Sequence, residues 1–114
     1  MIEEDALVRK LLEKRLLEAG WEVSALRSAA DLDGTLAQVT ADLIMIDMGH
    51  PDMSGLAVVE HIRDLGIRTP IMVLTTFEPP HLHAIVEGSG ANAVVRKPYD
   101  QEELILRMRG MLAA

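Results

Sequence analysis

The sequence predicts an α/β domain in which a parallel sheet carries helices on both faces, and three observations lead to this prediction. Apolar runs of strand length alternate with amphipathic segments of helix length along the chain. The central run, at residues 43–46, is apolar at every position, as is typical of a strand buried on both faces. Gly, Pro and Asp separate the segments at short intervals, which is the chemistry of tight connections.

Composition and charge narrow the class of protein. The 114 residues suffice for one domain with its own core, and that core must be aliphatic because the chain has one Trp, one Tyr and one Phe. The absence of cysteine excludes a disulfide scaffold and fits a reducing compartment. A net charge of −7 argues against direct contact with nucleic acid. With no membrane-spanning run and no signal-peptide pattern, we expect a cytoplasmic protein that does not enter a membrane.

The first half of the chain contains three predicted helices and two predicted strands. Leu and Val at helical spacing predict the first helix, and Gly20 ends it. The predicted elements are a helix at 5–19, a strand at 21–26, a weak helix at 30–39, a strand at 42–47 and a helix at 55–65.

The second half repeats the pattern. It contains a strand at 71–74, a helix opened by Pro79–Pro80, a strand at 93–95 and a last helix. Asp100 with Glu103 predicts a capping box at the start of that last helix. A doubly wound domain normally begins with a strand, and here only Met1 and Ile2 are available for it.

Polar groups follow four of the predicted strands. Glu3 and Glu4 follow the short first strand, and Asp47 ends the strand at 42–47. Thr75 follows the strand at 71–74, and Lys97 follows the last strand. Because the carboxyl ends of parallel strands share one edge of the sheet, these groups can converge. Clustered carboxylates without cysteine suit Mg²⁺. With such an ion present, a carboxylate could attack phosphorus and form an aspartyl phosphate.

Asp47 itself has two interpretations on local grounds. It ends a buried strand and opens onto turn residues, which is where open α/β sheets bind ligands. It could equally be a structural cap of the helix that follows the turn. The residues around Asp47 do not decide between a ligand site and a cap.

Taken together, the order and spacing of these residues resemble the receiver domain of two-component response regulators, the CheY-like superfamily, over nearly all of the chain. Asp47 with Pro51 and Gly55 is similar to the phosphoacceptor loop of that family. Thr75 matches its switch hydroxyl, and Lys97–Pro98 matches its Lys-Pro pair, whose peptide bond is usually cis. The resemblance implies a flavodoxin-like doubly wound parallel sheet with strand order 2-1-3-4-5.

The resemblance also implies a role for each site residue. Asp47 accepts a phosphoryl group from a histidine kinase or phosphotransfer protein in a phosphorelay. Mg²⁺ is ligated by Glu4, by Asp47 and by the backbone carbonyl of Gly49, with Glu3 acting directly or through water. Lys97 pairs with the phosphoryl oxygens.

Thr75 is expected to couple phosphorylation to a change of the protein-binding face. Its hydroxyl turns toward the phosphoryl group and repacks the face formed by the last two helices and the strand between them. That face binds a downstream protein target or an output domain. We therefore expect residues 1–114 to form a single receiver domain, N-terminally truncated and without an output domain. It would not be an enzyme, since it catalyses only its own phosphorylation and dephosphorylation.

Four features depart from the family pattern. The first strand is almost absent although it lies inside the sheet, and dimerisation would be one way to repair the gap. Glu4 occupies a position where the family usually has Asp. Val94 occupies the position of the aromatic residue that couples to the switch hydroxyl, and Thr76 occupies a position where a small residue is common. These departures favour an alternative function, a degenerate receiver that binds a partner protein without phosphorylation.

A second alternative is an enzyme. Residues 31–36 spell DxDGT, the nucleophile motif of haloacid-dehalogenase-type phosphatases, with Asp31 and Asp33 as its carboxylates. That motif requires a buried strand immediately before it, and residues 25–30 are a poor strand. We therefore interpret the two aspartates as surface residues near a helix start.

Overall fold

The computed structural model describes residues 1–47, 54–75, 84 and 88–112. The helices and strands within these residues are α1 (Ala6–Glu18), α2 (Leu32–Gln38), β1 (Ile44–Asp47), α3 (Ser54–Asp64), β2 (Ile71–Thr75), β3 (Ala93–Arg96) and α4 (Gln101–Leu112). A 3-10 turn, Ala29–Asp31, leads into α2. The helix predicted after Pro79–Pro80 falls largely outside the described residues and stays a prediction.

The three strands form a parallel sheet in the order β1-β2-β3. Asp47 of β1 lies opposite Leu74 of β2, and Thr75 of β2 lies opposite Arg96 of β3. The predicted parallel α/β fold is confirmed, and the ends of the three strands lie side by side at one edge of the sheet.

The short first strand occupies the position inside the sheet that the order 2-1-3-4-5 requires. Ile2 forms parallel bridges to Leu26 on one side and to Ile46 on the other. Its N–H donates to the carbonyl of Met45 at 2.8 Å, and its carbonyl accepts from the N–H of Asp47 at 3.0 Å. Ile2 is 6% exposed. Residues 1–3 therefore join β1 to the segment that ends at Leu26, because Ile2 bonds to β1 while the Met1 carbonyl and the Glu3 N–H bond to Leu26.

The strand predicted at 21–26 is wrong as a regular strand. Only Leu26 bridges to a neighbour, and residues 21–25 have no regular secondary structure. The physical reason lies in the backbone bonds of this segment. The N–H of Trp21 donates to the Leu16 carbonyl in the turn after α1, while the bonds to residues 1–3 are made by Ser24 and Leu26.

Two apolar layers cover the two faces of the sheet. On one face, α2 and α3 pack on side chains of β1 and β2, and this layer includes Ile2, Leu32, Ile44, Ile46, Val59, Ile62, Ile71 and Val73. On the other face, α1 and α4 pack on alternate residues of the three strands, and this layer includes Leu12, Leu16, Met45, Met72, Leu74, Val95, Leu104 and Met108. All five residues of β2 are buried, because the strand has a helical layer on each side.

Side-chain caps begin two of the helices. The Asp5 Oδ1 accepts from the N–H groups of Leu7 and Val8 at 2.9 and 3.0 Å. The Asp100 Oδ1 accepts from the N–H groups of Glu102 and Glu103 at 2.8 and 3.1 Å, which is the Asp100 half of the predicted capping box. Across the described ranges, every helix is too short or too polar to cross a membrane.

The side chain of Arg63, near the end of α3, connects three backbone segments through hydrogen bonds. Its guanidinium donates to the carbonyls of Ile67, Thr69 and Gly90, and to the side-chain oxygen of Asn92, at 2.8 to 3.0 Å. The same Asn92 oxygen accepts from the N–H of Ile71 at 2.9 Å, where β2 begins. This network sets the register of β2 against β3, and hence which residues meet at the far ends of the two strands.

We expect Arg63→Lys to destabilise the fold by about 2 kcal/mol, because one ammonium cannot reproduce the forked contacts and leaves carbonyl oxygens without donors. Arg68→Lys is the matched control, since Arg68 is exposed and its substitution should change stability by less than about 0.5 kcal/mol. Urea unfolding measures both differences. Equal stability of the two variants would contradict a structural role for Arg63.

Candidate functional site

Four strand ends bring the candidate site together at one edge of the sheet. The bridge of Ile2 to Ile46 places Glu3 beside the end of β1. Asp47 is the last residue of β1 and Thr75 the last of β2. Lys97 follows β3, and its N–H donates to the carbonyl of Thr75 at 2.8 Å.

Asp47 and Lys97 form an ion pair at this edge. The Lys97 Nζ donates to the Asp47 Oδ1, and the side chain of Asp47 is only 1% exposed while that of Lys97 is 19% exposed. A buried carboxylate requires a compensating charge of this kind. The peptide bond between Lys97 and Pro98 is cis, as the family resemblance implies.

Glu3 is the second buried carboxylate of the site, with 4% of the residue exposed. Its Oε1 accepts from the N–H of Asp5 at 2.9 Å. No donor of the described residues reaches its buried Oε2. The neighbouring Asp47 carboxyl can supply one only when one of the two acids is protonated.

The pKa of Glu3 reflects this environment. Burial is the main cause that raises the pKa to about 7, and the hydrogen bond with Asp47 raises it further. The N–H of Asp5 and the charge of Lys97 oppose the shift. Near neutral pH, Glu3 therefore keeps its proton in part of the molecules, and the hydrogen bond to Asp47 favours this protonated form.

Glu4 differs from Glu3 in position, because its side chain is exposed. The turn that carries both acids is held by Arg9, whose guanidinium donates to the carbonyl of Glu3 at 2.9 Å and to that of Glu4 at 3.4 Å. The sequence analysis missed Arg9. The available signal was a cation near the start of a helix, where the helix dipole disfavours positive charge.

Thr75 and Tyr99 complete the described part of the site. Thr75 is 1% exposed, at the end of β2. Tyr99, two residues after Lys97, is half-buried, and burial followed by the charges of Asp47 and Glu3 raises the pKa of its hydroxyl. The sequence analysis also missed Tyr99, although an aromatic residue directly after a Lys-Pro pair at a strand end was a visible signal.

Other candidate residues lie elsewhere or outside the described residues. Gly49, Pro51 and Thr76 are outside the described residues, so the metal ligand predicted at the Gly49 carbonyl stays a prediction. Asp31 and Asp33 are exposed, and the Asp33 Oδ1 pairs with the His61 Nε2 at 2.8 Å. The regular strand that the phosphatase motif requires immediately before it is absent from residues 25–30.

The donor set is compatible with Mg²⁺. The described residues contain no group of three or more His, Cys, Asp or Glu side chains that could hold a metal ion. Glu3 and Asp47 nevertheless provide two carboxylates, one with a buried oxygen that lacks a donor. Mg²⁺ is usually held by one or two carboxylates, with waters and phosphate oxygens as the other ligands. The role of Glu4 as a direct ligand stays a prediction.

Comparisons with known proteins give a consistent result. The sequence profile described as "Response regulator receiver domain" matches residues 1–109. The chain is 33% identical over 112 residues to the virulence transcriptional regulatory protein PhoP of Salmonella choleraesuis, and 31% identical to the transcriptional regulatory protein PhoP of Escherichia coli. Each match covers 98% of this chain and 50% of the relative, so the chain spans about half the length of these proteins.

Solved structures share the fold at lower sequence identity. The receiver domain of the Francisella response regulator 1452 superposes with a TM-score of 0.88 at 20% identity, covering 98% of this chain and 93% of that one. The receiver domain of NtrX from Brucella abortus superposes with a TM-score of 0.84 at 20% identity, covering 99% and 96%. These two structures support the α/β fold.

We expect Glu3→Gln to stabilise the Mg²⁺-free protein increasingly as pH rises. The folded-state pKa of Glu3 is raised to about 7 from an ordinary value of 4.5, so its stabilising protonated form is fully present below pH 4.5 and lost as pH rises through 7. The variant should therefore gain on the order of 2–3 kcal/mol relative to wild type between pH 4.5 and 8. Urea unfolding in EDTA across this range measures the gain. Glu4→Gln removes the same charge from an exposed side chain and should show no such trend.

Lys97→Met should destabilise the Mg²⁺-free protein by about 3 kcal/mol at pH 8, because it leaves the buried Asp47 carboxylate without its cation. Asp47→Asn in the Lys97→Met background should recover most of this loss, since the uncompensated charge is then absent. A double-mutant cycle by urea unfolding measures the coupling between the two residues. Additive effects would contradict the ion pair.

Proposed function

Because this chain belongs to the response regulator receiver domain family, we propose that it is a phosphoacceptor of a two-component phosphorelay, with Asp47 as the residue that receives the phosphoryl group. One observation supports the assignment above all others. Asp47 is a buried carboxylate at a strand end that contacts Lys97 and adjoins a second buried acid, Glu3. A carboxylate in this setting has a cation beside it to balance the charge that phosphorylation adds.

The proposed reaction is a phosphoryl transfer to the Asp47 carboxylate. A carboxylate oxygen forms a bond to phosphorus while the bond between phosphorus and the donor's histidine nitrogen breaks. The electron pair of the broken bond stays on that nitrogen, which takes up one proton from solvent, so that the histidine leaves in its neutral form. The product is an acyl phosphate on Asp47, and a free histidine remains on the kinase or phosphotransfer protein.

The surrounding residues would stabilise the transferred group. Lys97 would move its ammonium contact from the carboxylate to a phosphoryl oxygen. Glu3 and Asp47 would hold Mg²⁺, with Glu4 and the carbonyl of Gly49 as the further predicted ligands. When bound, Mg²⁺ supplies positive charge against the phosphoryl oxygens. Glu3 would give up its proton as the ion enters.

Receiver domains are signalling modules rather than enzymes that act on other substrates, and we propose that role for this chain. Thr75 would donate its hydroxyl to a phosphoryl oxygen, and the resulting movement would reach the strand and helices beside it. The readers of that change would be proteins, namely a downstream target or an output domain. The histidine kinase and this chain would meet in the cytoplasm.

A second candidate function is a degenerate receiver that binds its partner without phosphorylation. Three observations favour it. The side chain of Glu4 is exposed, and the described residues contain no cluster of three metal-binding side chains. Val94 also stands where the family usually has the aromatic residue that reports on the switch.

We expect the protein to gain one phosphoryl group when it is incubated with Mg²⁺ and acetyl phosphate and then quenched in acid. Asp47→Asn should abolish the gain, because the amide is not a nucleophile toward phosphorus, and EDTA should suppress it. Asp31→Asn is the matched control and should label like wild type. Intact-protein mass spectrometry together with phosphate release follows the reaction.

Each of the other outcomes identifies a different function. No gain in wild type at any Mg²⁺ concentration would favour the degenerate receiver. Repeated phosphate release that is lost in Asp31→Asn and retained in Asp47→Asn would identify a phosphatase. Labelling that survives Asp47→Asn would overturn the assignment of the acceptor.

A further inference from the structure

Arg9 lies near the start of α1, next to the turn that carries the two acids of the candidate site. Its Nη1 donates to the Glu3 carbonyl at 2.9 Å and to the Glu4 carbonyl at 3.4 Å. Arg9 is partly buried, whereas its neighbours on the helix, Val8 and Lys10, are exposed. The side chain of Arg9 therefore folds back onto the acidic turn instead of extending into solvent.

The helix itself gains little from a cation at this position. Arg9 is the fourth residue of α1, where the positive end of the helix dipole disfavours a further positive charge. Asp5 already provides the side-chain cap of α1, through bonds to two backbone N–H groups. What the guanidinium of Arg9 adds is therefore its contact with the two carbonyl groups of the acidic turn.

Three hydrogen bonds connect Arg9, Asp5 and Glu3 in a closed ring. The Arg9 N–H donates to the Asp5 carbonyl at 2.9 Å, and the Asp5 N–H donates to the Glu3 Oε1 at 2.9 Å. The Arg9 Nη1 completes the ring at the Glu3 carbonyl. Because the ring includes both the backbone and the carboxylate of Glu3, it fixes the direction in which that carboxylate leaves the strand.

The packing of α1 gives this ring a fixed support. Leu12 and Leu16, which follow Arg9 on the helix, are 2% and 3% exposed in the apolar layer on the sheet. On the other side of the turn, the backbone of Ile2 is bonded to β1. Arg9 therefore connects the carbonyl of Glu3 to a helix whose position the core determines.

The placement of Glu3 matters because of the cation that the proposed function requires. Mg²⁺ demands near-octahedral geometry with oxygen ligands at about 2.0–2.1 Å, so a carboxylate without a fixed orientation binds it poorly. Glu3 lies beside the buried carboxylate of Asp47. Residues that orient metal ligands through hydrogen bonds typically contribute about 10–100-fold to metal affinity.

We propose that Arg9 is a positioning residue of the candidate site, which holds the backbone of the acidic turn so that the Glu3 carboxylate is directed toward a cation at Asp47. The role rests on the proposed function, which supplies Mg²⁺ as the ligand. The sign of the effect separates positioning from charge. The positive charge of Arg9 repels Mg²⁺, so its removal alone would strengthen binding, whereas loss of the orientation of Glu3 weakens binding.

The test is Arg9→Met, with Lys10→Met as the matched control. Each variant removes one positive charge from the same turn of α1, and Met keeps a comparable helix propensity. The amide chemical shifts of Asp5 and Asp47 follow a titration of the folded protein with Mg²⁺ alone, without a phosphodonor. Arg9→Met should weaken Mg²⁺ binding about tenfold. Lys10→Met should stay within about twofold of wild type, because the side chain of Lys10 is exposed and its charge is screened.

Amide hydrogen exchange in EDTA gives a second readout that does not involve the metal. The Asp5 N–H donates to the Glu3 carboxylate, so its exchange should become about fivefold faster in Arg9→Met and stay unchanged in Lys10→Met. The Ile44 amide, which is bonded to the residue before β2, reports on the stability of the sheet. Its exchange should change by less than that of Asp5, which distinguishes a loosened turn from a destabilised fold.

The outcomes separate the role of Arg9 from the proposed function. Mg²⁺ binding by Arg9→Met that equals or exceeds that of wild type would overturn the positioning role and leave the proposed function intact. Absence of Mg²⁺ binding in wild type would overturn both. Weaker Mg²⁺ binding by Arg9→Met, in a protein whose wild type gains no phosphoryl group on Asp47, would support the role of Arg9 and overturn the proposed function.

Discussion

The backbone of Ile2 is the connection on which the rest of the structure depends. Its bonds to β1 and the bridge to Leu26 join two segments that otherwise face one another across a cavity. The same bonds bring Glu3 to the end of β1, next to Asp47. Together with Met1 and Glu3, which bond to Leu26, this short strand maintains the order of the sheet and also assembles the acidic part of the site.

The balance of charge at the sheet edge explains why this site suits a phosphoryl group and a cation. Two buried carboxylates have one lysine between them, so at high pH one negative charge is uncompensated. The raised pKa of Glu3 is the response of the free protein, which holds a proton there instead. A divalent cation would replace that proton, and the site would then carry a net positive charge toward an incoming phosphoryl group.

The sequence predicted the elements with local signals and failed where distant residues decide. Gly20 and Asp100 mark helix ends through a turn and a cap that neighbouring residues determine, and the structure agrees with them. The irregular course of residues 21–25 depends on backbone bonds to the turn after α1 and to residues 1–3, which no property of that segment reveals.

The same distinction applies to the site. Asp47, Thr75 and Lys97 could be placed from the sequence because each lies at the end of an apolar run, and parallel strands end together. Arg9 and Arg63 could not, because their guanidinium groups bind backbone carbonyls whose positions arise only after folding. The pairing of Glu3 rather than Glu4 with Asp47 depends on which way the strand alternates at Ile2, and a two-residue strand gives no periodicity from which to read it.

A path for the signal from Asp47 can be traced through described contacts even though Val94 replaces the usual aromatic reporter. Lys97 contacts Asp47 through its side chain and Thr75 through its backbone N–H. Three residues later, Asp100 caps the first turn of α4, and Tyr99 lies between them. On the proposed function, a change of ionic partner at Lys97 would reach the start of α4 along the short segment 97–100. We therefore expect the coupling to run along the backbone after β3, rather than through the rotation of a side chain on that strand.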